Sequence, residues 1–275
     1  MKTINLMING LPGNVAATIA EHAADDSRFS LVPFSLTGPE IETDCFMVEK
    51  EKISLLKPET RKKFIQQIKS EFPDFITIDF THPTAVNDNA LFYTENNLPF
   101  VMGTTGGDRE KLAETVLKGS VPAVIAPNMA KQIVGFQAMM DYASETFPDL
   151  FKGFSLTIEE SHQKGKADTS GTARAMVKYF NRLGIPFSEE NIVRERDPEV
   201  QKNKWKIPEE HLTGHGWHTY TLTSPDKSVF FQFKHNINGR EIYVKGTFDG
   251  AMFLNKKVNQ GAAGKIFTMI DVLKG

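Results

Sequence analysis

Ile4-Asn5-Leu6-Met7-Ile8-Asn9-Gly10-Leu11-Pro12-Gly13-Asn14-Val15-Ala16 is the stretch whose reading decides the fold. Ile4–Ile8 has the length of a short buried strand. The run Asn9 to Asn14 then breaks it, and a helix is expected to follow to about His22. A strand that ends in a glycine-containing turn and opens a helix is the context of a dinucleotide fingerprint. Backbone N–H groups at such a helix start can cradle a pyrophosphate. Pro12 stands where the middle glycine of Gly-x-Gly-x-x-Gly belongs, and Ala16 where the last does. Taken alone, the turn therefore fits a strand–helix turn with no ligand about equally well.

Working outward, short apolar runs alternate with helical stretches. Leu31–Leu36 is expected as a second strand, with Phe46–Val48 and Ile53–Leu55 as shorter ones. Pro58 lies near a helix start, and Phe64, Ile65 and Ile68 give that helix one buried side. Phe75–Phe80 is a buried strand. Pro83 opens a helix to about Asn96. Phe100–Met102 is a strand, Gly103–Gly107 a loop, and Asp108 an N-cap for Arg109–Leu117. Val121–Ala126 is a further strand. This alternation predicts a parallel sheet wrapped by helices. In such sheets ligands gather beyond the carboxyl ends of the strands. The loops Asp79–Pro83, Gly103–Gly106 and Ala126–Met129 all lie there, and with the first turn they would rim one crevice.

The pattern changes after residue 129. Lys131–Phe147 is expected as a long helix stopped by Pro148, Phe154–Glu159 as a strand and Gly171–Leu183 as a helix. Strands Gly216–Thr223, Val229–His235 and Glu241–Phe248 then follow one another, with Asn238-Gly239 as a hairpin turn between the last two. Arg194–Glu210 is highly charged and is expected as a solvated loop. Met252–Leu273 would return as a helix to the first domain. The fold class is thus α/β: a Rossmann-like parallel-sheet domain over 1–129 and 252–275, and a second α+β domain with a mixed sheet over 130–251.

With 32 basic and 34 acidic residues the net charge is −2, so no general field attracts nucleic acid. A 40% hydrophobic and 24% charged chain is not disordered. Cys45 is the single cysteine, which excludes an intrachain disulfide and a thiolate metal cluster. The N-terminal apolar run is broken by Asn5 and Asn9, too short for a signal-peptide core, and no run reaches the ~18 apolar residues of a membrane span. A cytoplasmic protein without membrane or nucleic-acid partners is expected.

The densest chemistry is Glu160-Ser161-His162-Gln163-Lys164-Gly165-Lys166-Ala167-Asp168-Thr169-Ser170-Gly171-Thr172. His162 can move a proton in either direction near neutral pH. Lys166 can donate a proton or hold a carboxylate. Ser170-Gly171-Thr172 offers hydroxyls and N–H groups to an anion at a helix start. The bland alternative is a polar loop in which Ser170 merely caps the helix. No metal is expected: the seven histidines show no convincing ligand spacing, and His215 and His218 fit a turn into a strand better.

The Glu160-Ser161-His162, Lys166 and Ser170-Gly171-Thr172 pattern resembles the signature of the 4-hydroxy-tetrahydrodipicolinate (dihydrodipicolinate) reductases of lysine and diaminopimelate synthesis. Gly103-Thr104-Thr105-Gly106 and Asp79-Phe80-Thr81 resemble that family's cofactor loops, and Ser161-His162-Gln163 resembles its plant-type branch. The common bacterial motif has a second histidine where this chain has Gln163, which can hydrogen-bond but carries no charge.

The resemblance implies His162 as catalytic acid/base and Lys166 as proton donor. It implies Gly171 and Thr172 as carboxylate binders, with Ser170 and Gln163 beside them. Gly10, Leu11, Pro12, Gly13, Asn14 and Val15 would meet the pyrophosphate. Phe80, Gly103, Thr104, Thr105, Ala126, Pro127, Asn128 and Met129 would flank the rest of the cofactor. It further implies a homo-oligomer, dimer or tetramer, built through the mixed sheet. No acid stands in Phe34–Thr37, so Ser35 and Thr37 would suit a 2′-phosphate; NADPH is expected, with NADH usable. Another two-domain nicotinamide-dependent dehydrogenase, or a dinucleotide-binding sensor without turnover, fits the same elements. His162 and Lys166 argue against the sensor.

Overall fold

A computed structural model describes residues 3–275. The chain divides into two units, Met1–Lys131 with Glu241–Gly275, and Gln132–Arg240. In the first unit β1 (Ile4–Asn9) leads into α1 (Asn14–Asp25) and β2 (Phe29–Leu31). Then come β3 (Phe34–Leu36), β4 (Cys45–Val48), β5 (Glu51–Leu56), α2 (Arg61–Glu71) and β6 (Ile76–Asp79). A short 3₁₀ turn at Pro83–Ala85 precedes α3 (Val86–Glu95), followed by β7 (Phe100–Met102), α4 (Arg109–Lys118) and β8 (Ala123–Ile125).

The second unit holds α5 (Lys131–Thr146, entered from the first unit), β9 (Ser155–His162), α6 (Gly171–Arg182), β10 (Val193–Glu195), α7 (Pro198–Asn203), β11 (His215–Thr223) and β12 (Phe230–Asn238). The chain then returns to the first unit as α8 (Glu241–Asn259), β13 (Ile266–Phe267) and α9 (Met269–Lys274).

The first unit is built on a six-stranded sheet in the order β13-β8-β7-β6-β1-β2, parallel at every pairing. Its strands β7 and β8 are wholly apolar, and β6 and β7 are buried along their whole length, as a sheet covered on both faces requires. The chain leaves β1 towards β2 and later crosses to β6 on the other side of β1. That reversal puts a topological switch point between β1 and β6, where such sheets bind ligands. Asp108 caps α4 as expected, its carboxylate accepting the Lys111 N–H at 3.0 Å.

Several expectations are corrected. Leu31–Leu36 is two strands in two sheets: β2 pairs with β1, and β3 with β5 in a small sheet of order β3-β5-β4. Pro33 between them has no N–H to continue a ladder. Phe64 is 37% exposed, so α2 buries Ile65 and Ile68 without it. Glu241–Phe248 is not a strand but the first half of α8. Its buried Val244, Phe248, Ala251 and Leu254 recur at helical spacing, which outweighs the alternation of the first few residues. Gly246 of that helix lies against the Met129 carbonyl, where a Cβ would stand 1.9 Å from the oxygen and would not fit. Asn238-Gly239 accordingly ends β12 and turns the chain into a helix, with Gly239 at φ +70°. The boundary expected at 252 falls inside α8.

The second unit carries a four-stranded mixed sheet, order β10-β9-β11-β12, with β10 parallel to β9 and the other pairings antiparallel. Ala173, Met176, Val177 and Phe180 of α6 join Ile158, Tyr220 and Leu222 of the sheet in one core. Arg194–Glu210 is not a solvated loop. It contains the end of β10 and all of α7, and Gln201 and Ile207 in it are buried. Among the described residues no helix is long and apolar enough to cross a membrane.

Candidate active site

The turn after β1 is packed as tightly as its glycines suggest. Gly10 sits at φ +108°, and a Cβ there would meet the Phe80 carbonyl oxygen at 2.3 Å. A Cβ on Gly13 would lie 2.8 Å from the Gly10 carbonyl oxygen, and one on Gly103 2.3 Å from the Phe80 ring. The end of β1 thus meets that of β6 backbone to backbone at the switch point, and the end of β7 packs on the Phe80 ring. Gly13 precedes α1, which has no side-chain cap and no acid in its first turn. An uncapped, acid-free helix start of this kind suits a pyrophosphate. Gly13 and Asn14 are exposed, and Pro12 and Val15 half-buried. Leu11 is core, so only its backbone is available to a ligand.

Asp79, which the sequence reading left without a role of its own, organises these loops. It is fully buried at the end of β6. Its Oδ1 accepts from the Thr81 N–H (3.1 Å), the Thr81 hydroxyl (2.8 Å) and the Thr104 hydroxyl (2.6 Å). Its Oδ2 accepts from Asn89 (3.0 Å) and the Tyr93 hydroxyl (2.6 Å). Asn9 extends the network, donating to Tyr93 and accepting the Leu36 N–H. Burial, followed by the Asp79 charge, pushes the Tyr93 phenol well above its ordinary value. Thr104 is thus committed to Asp79, whereas Thr105 is exposed.

Ala126 and Met129 are buried, Pro127 is exposed, and the Asn128 side-chain Oδ1 accepts the Ala130 N–H just before α5. Ser35 is corrected: it is fully buried, its hydroxyl accepting the Leu11 N–H at 3.4 Å and donating to the Leu36 carbonyl at 3.3 Å. The Thr37 hydroxyl donates to the Leu11 carbonyl at 2.8 Å. Both hydroxyls brace the turn after β1, so neither is free to meet a 2′-phosphate.

In the second unit, β9 alternates so that Ile158, Glu160 and His162 share the face under α6. Glu160 is fully buried. Arg196, at the end of β10, ion-pairs with its Oε1, and the Ser170 N–H donates to its Oε2 at 3.1 Å. The Arg196 guanidinium also donates to the carbonyls of Lys166 (2.8 Å), Asp168 (3.3 Å) and Glu195 (2.8 Å). One buried ion pair therefore holds the whole loop from Lys166 to the start of α6. Burial works to raise the Glu160 carboxyl, but the Arg196 charge and the Ser170 N–H outweigh it and hold it well below the usual range. His218 Nε2 favours the carboxylate too from 3.7 Å, beyond hydrogen-bond reach.

His162 closes β9. Its Nδ1 faces the His215 carbonyl at 3.1 Å, and Gln201 donates to the His162 carbonyl at 2.7 Å. The ring lies over Gly216, where a Cβ would stand 3.1 Å from Cε1. Burial and the neighbouring His218 push the imidazole down to about 4, so it is neutral at pH 7. With Nδ1–H donating to the carbonyl, Nε2 keeps its lone pair. Lys166 Nζ donates to Asp168 at 2.8 Å. Ser170 caps α6, its hydroxyl accepting the Thr172 N–H at 3.2 Å. That capping role leaves the Thr172 hydroxyl and the open space around Gly171 for an anion. Gln163 is half-buried.

The second unit thus brings His162, Gln163, Lys166, Ser170, Gly171 and Thr172 onto one strand end, its loop and one helix start. Glu160, Arg196, Gln201 and His218 belong to the same arrangement and had been given no role. The available signal was Glu160 itself, a charge at an inward position of an alternating strand, which requires a buried partner.

The profile of the N-terminus of dihydrodipicolinate reductase matches residues 4–129, and that of its C-terminus residues 133–273. The chain is 44% identical over 271 residues to 4-hydroxy-tetrahydrodipicolinate reductase 2, chloroplastic, of Arabidopsis thaliana, covering 98% of this chain and 77% of that protein. It is 43% identical over 269 residues to the probable 4-hydroxy-tetrahydrodipicolinate reductase 1, chloroplastic, of Oryza sativa subsp. japonica, covering 98% and 78%. Its fold is similar to that of dipicolinate-bound dihydrodipicolinate reductase from Paenisporosarcina sp. TG-14, with TM-score 0.65, 18% identity and 98% of each chain covered.

Proposed function

The chain belongs to the dihydrodipicolinate reductase family, and on that premise we propose that it reduces 4-hydroxy-tetrahydrodipicolinate to tetrahydrodipicolinate with NAD(P)H, as a step of lysine and diaminopimelate synthesis. The observation that carries the reading is the Glu160–Arg196 pair, which fixes the loop bearing Lys166 beside His162 and the start of α6. The reaction consumes one hydride and one proton and releases the 4-hydroxyl as water. A bound nicotinamide supplies the hydride. The turn Gly10–Val15, the uncapped start of α1 and the loops braced by Asp79 are the residues that would hold the dinucleotide.

Lys166 supplies the proton, its ammonium oriented by Asp168. His162 is neutral at pH 7, so its Nε2 lone pair is the basic group of the site, and the His215 carbonyl steadies the imidazolium that forms when it takes a proton. The Thr172 hydroxyl and the N-terminal end of α6 hold one carboxylate, with the Gln163 amide as a neutral partner. The mixed sheet builds a homo-oligomer.

With Ser35 and Thr37 committed to the phosphate turn, they do not choose between NADPH and NADH. The acid nearest the end of β3 is Glu40, whose carboxylate lies where a Cβ on Gly38 would stand. The deciding experiment is turnover of freshly made 4-hydroxy-tetrahydrodipicolinate with NADPH and with NADH in parallel. Substrate-dependent oxidation of either cofactor supports the reading. None with either, in folded protein, overturns it.

A further inference from the structure

Four buried imidazole nitrogens without hydrogen-bond partners lie together in the second unit: Nε2 of His162, both ring nitrogens of His218, and Nδ1 of His235. Among the described residues eight buried side-chain polar atoms lack a partner, so half of them are in this one cluster. Buried polar atoms without partners are costly and call for an occupant or a role. His218 is 3% exposed and stacks on His235 at 4.7 Å.

The sheet register brings them together. His218 is the direct cross-strand neighbour of both Glu160 and His235, and His162 stands two pairs further along on the same face, opposite Gly216. One ligand atom from each of Glu160, His162 and His218 can be chosen so that all three lie within 4.8 Å of one another. Ligand bonds of about 2.0–2.2 Å in a tetrahedral zinc site place ligand atoms roughly 3.3 Å apart. Side-chain shifts of about 1 Å would close the set.

The supporting contacts of such a site are already made. The His215 carbonyl takes Nδ1–H of His162 and leaves Nε2 for a metal. Arg196 and the Ser170 N–H pin the Glu160 carboxylate. Two imidazoles and one carboxylate select zinc-class transition ions over magnesium or calcium. The Arg196 guanidinium opposes a cation there, so binding is weaker than at a structural zinc site and reversible.

We propose that Glu160, His162 and His218 form a binding site for a divalent transition-metal ion of the zinc class, with its fourth position open, and that occupancy stops turnover by taking the lone pair of His162. The inhibitory half rests on the reductase reading above; the binding half does not.

The test is calorimetric titration of the chelator-treated full chain with zinc chloride, repeated with magnesium chloride. One zinc per chain and no magnesium uptake is expected. His218→Gln and His162→Gln should each weaken zinc binding by on the order of 100-fold or more, with folding checked by circular dichroism. His162 is half-buried, so His162→Gln decides the matter if His218→Gln does not fold. No zinc uptake, or uptake unchanged in a folded variant because exposed His22 and His82 are the ligands, overturns the site. In the reductase assay zinc should inhibit and a chelator should restore the rate; stoichiometric uptake with turnover intact overturns the inhibitory half. A chain that took up zinc but reduced no substrate in metal-free buffer would overturn the proposed reaction and leave the site standing.

Discussion

His162 and Lys166 reach the same loop by different devices, and their variants should separate chemistry from binding. His162 is set by β9, Gly216 and the His215 carbonyl; Lys166 is set by Asp168 and by Arg196 on its backbone. Neither lies in the turn after β1 or in the loops after β6 and β7. His162→Ala and Lys166→Ala should each lower turnover by on the order of 10²–10⁴-fold, with the dinucleotide dissociation constant unchanged. Near wild-type turnover in both would remove them from the chemistry. The imidazoles also write a pH dependence into stability. His162 and His235 are both pushed down to about 4, first by burial and then by the neighbouring His218. In the unfolded chain they titrate near about 6.5. Between those values the native state binds fewer protons than the unfolded state, so stability is full above pH 6.5 and falls as pH drops towards 4. Urea midpoints measured in chelator should therefore decline from pH 7 to pH 4.5, and His235→Asn should flatten the decline. A midpoint constant over that range would contradict the buried neutral state.

At the scale of elements, the link that matters is β9 to β10 through Glu160 and Arg196. Removing one partner of a buried pair leaves an uncompensated charge, at about 3–5 kcal/mol. Arg196→Met should lose stability of that order in urea unfolding and also lower turnover, because the carbonyls of Lys166 and Asp168 lose their donor. Adding Glu160→Gln should recover part of the stability without the turnover; no recovery would mean that Arg196 acts through packing alone. Arg196 was not legible in the chain because long-range pairing leaves no local signal. Arg194–Glu210 has the composition of a solvated loop, and only the fold shows that Glu160 draws one of its arginines inward. Glu241–Phe248 misleads for another reason. Its first residues alternate and follow Asn-Gly, which is a hairpin pattern, and the helical period emerges only when Ala251 and Leu254 are included. By contrast, the strands of the parallel sheet and the start of α6 were legible. Uniform apolar runs, Asp108 and Ser170 are local signals that tertiary contacts reinforce.

For the whole molecule, the mixed sheet poses a problem of cover. One face of β9 and β11 packs under α6, while Thr157, Trp217, Thr219, Thr221 and Thr223 point to the other. On β12, Phe230 belongs to that other face, opposite Thr223, and is 61% exposed, with Val229 beside it at 40%. β12 is also the last strand of its sheet and runs nine residues without a proline. A long exposed edge bearing a large aromatic is a template for another chain unless something covers it. Lys234 is the only charge in the strand, and it lies over the Trp217 ring instead of guarding the edge. A second copy of the chain on this face answers both the edge and the aromatic, provided that the contact exceeds about 1,000 Å². Sedimentation at micromolar concentration should then show a homo-oligomer. Burying one phenylalanine contributes about 1.5–3 kcal/mol, so Phe230→Asp should weaken association by roughly 10–100-fold per interface copy while the monomer keeps its circular dichroism. Wild-type protein that sediments as a monomer, or a Phe230→Asp variant that associates as tightly as wild type, would place the contact away from this face.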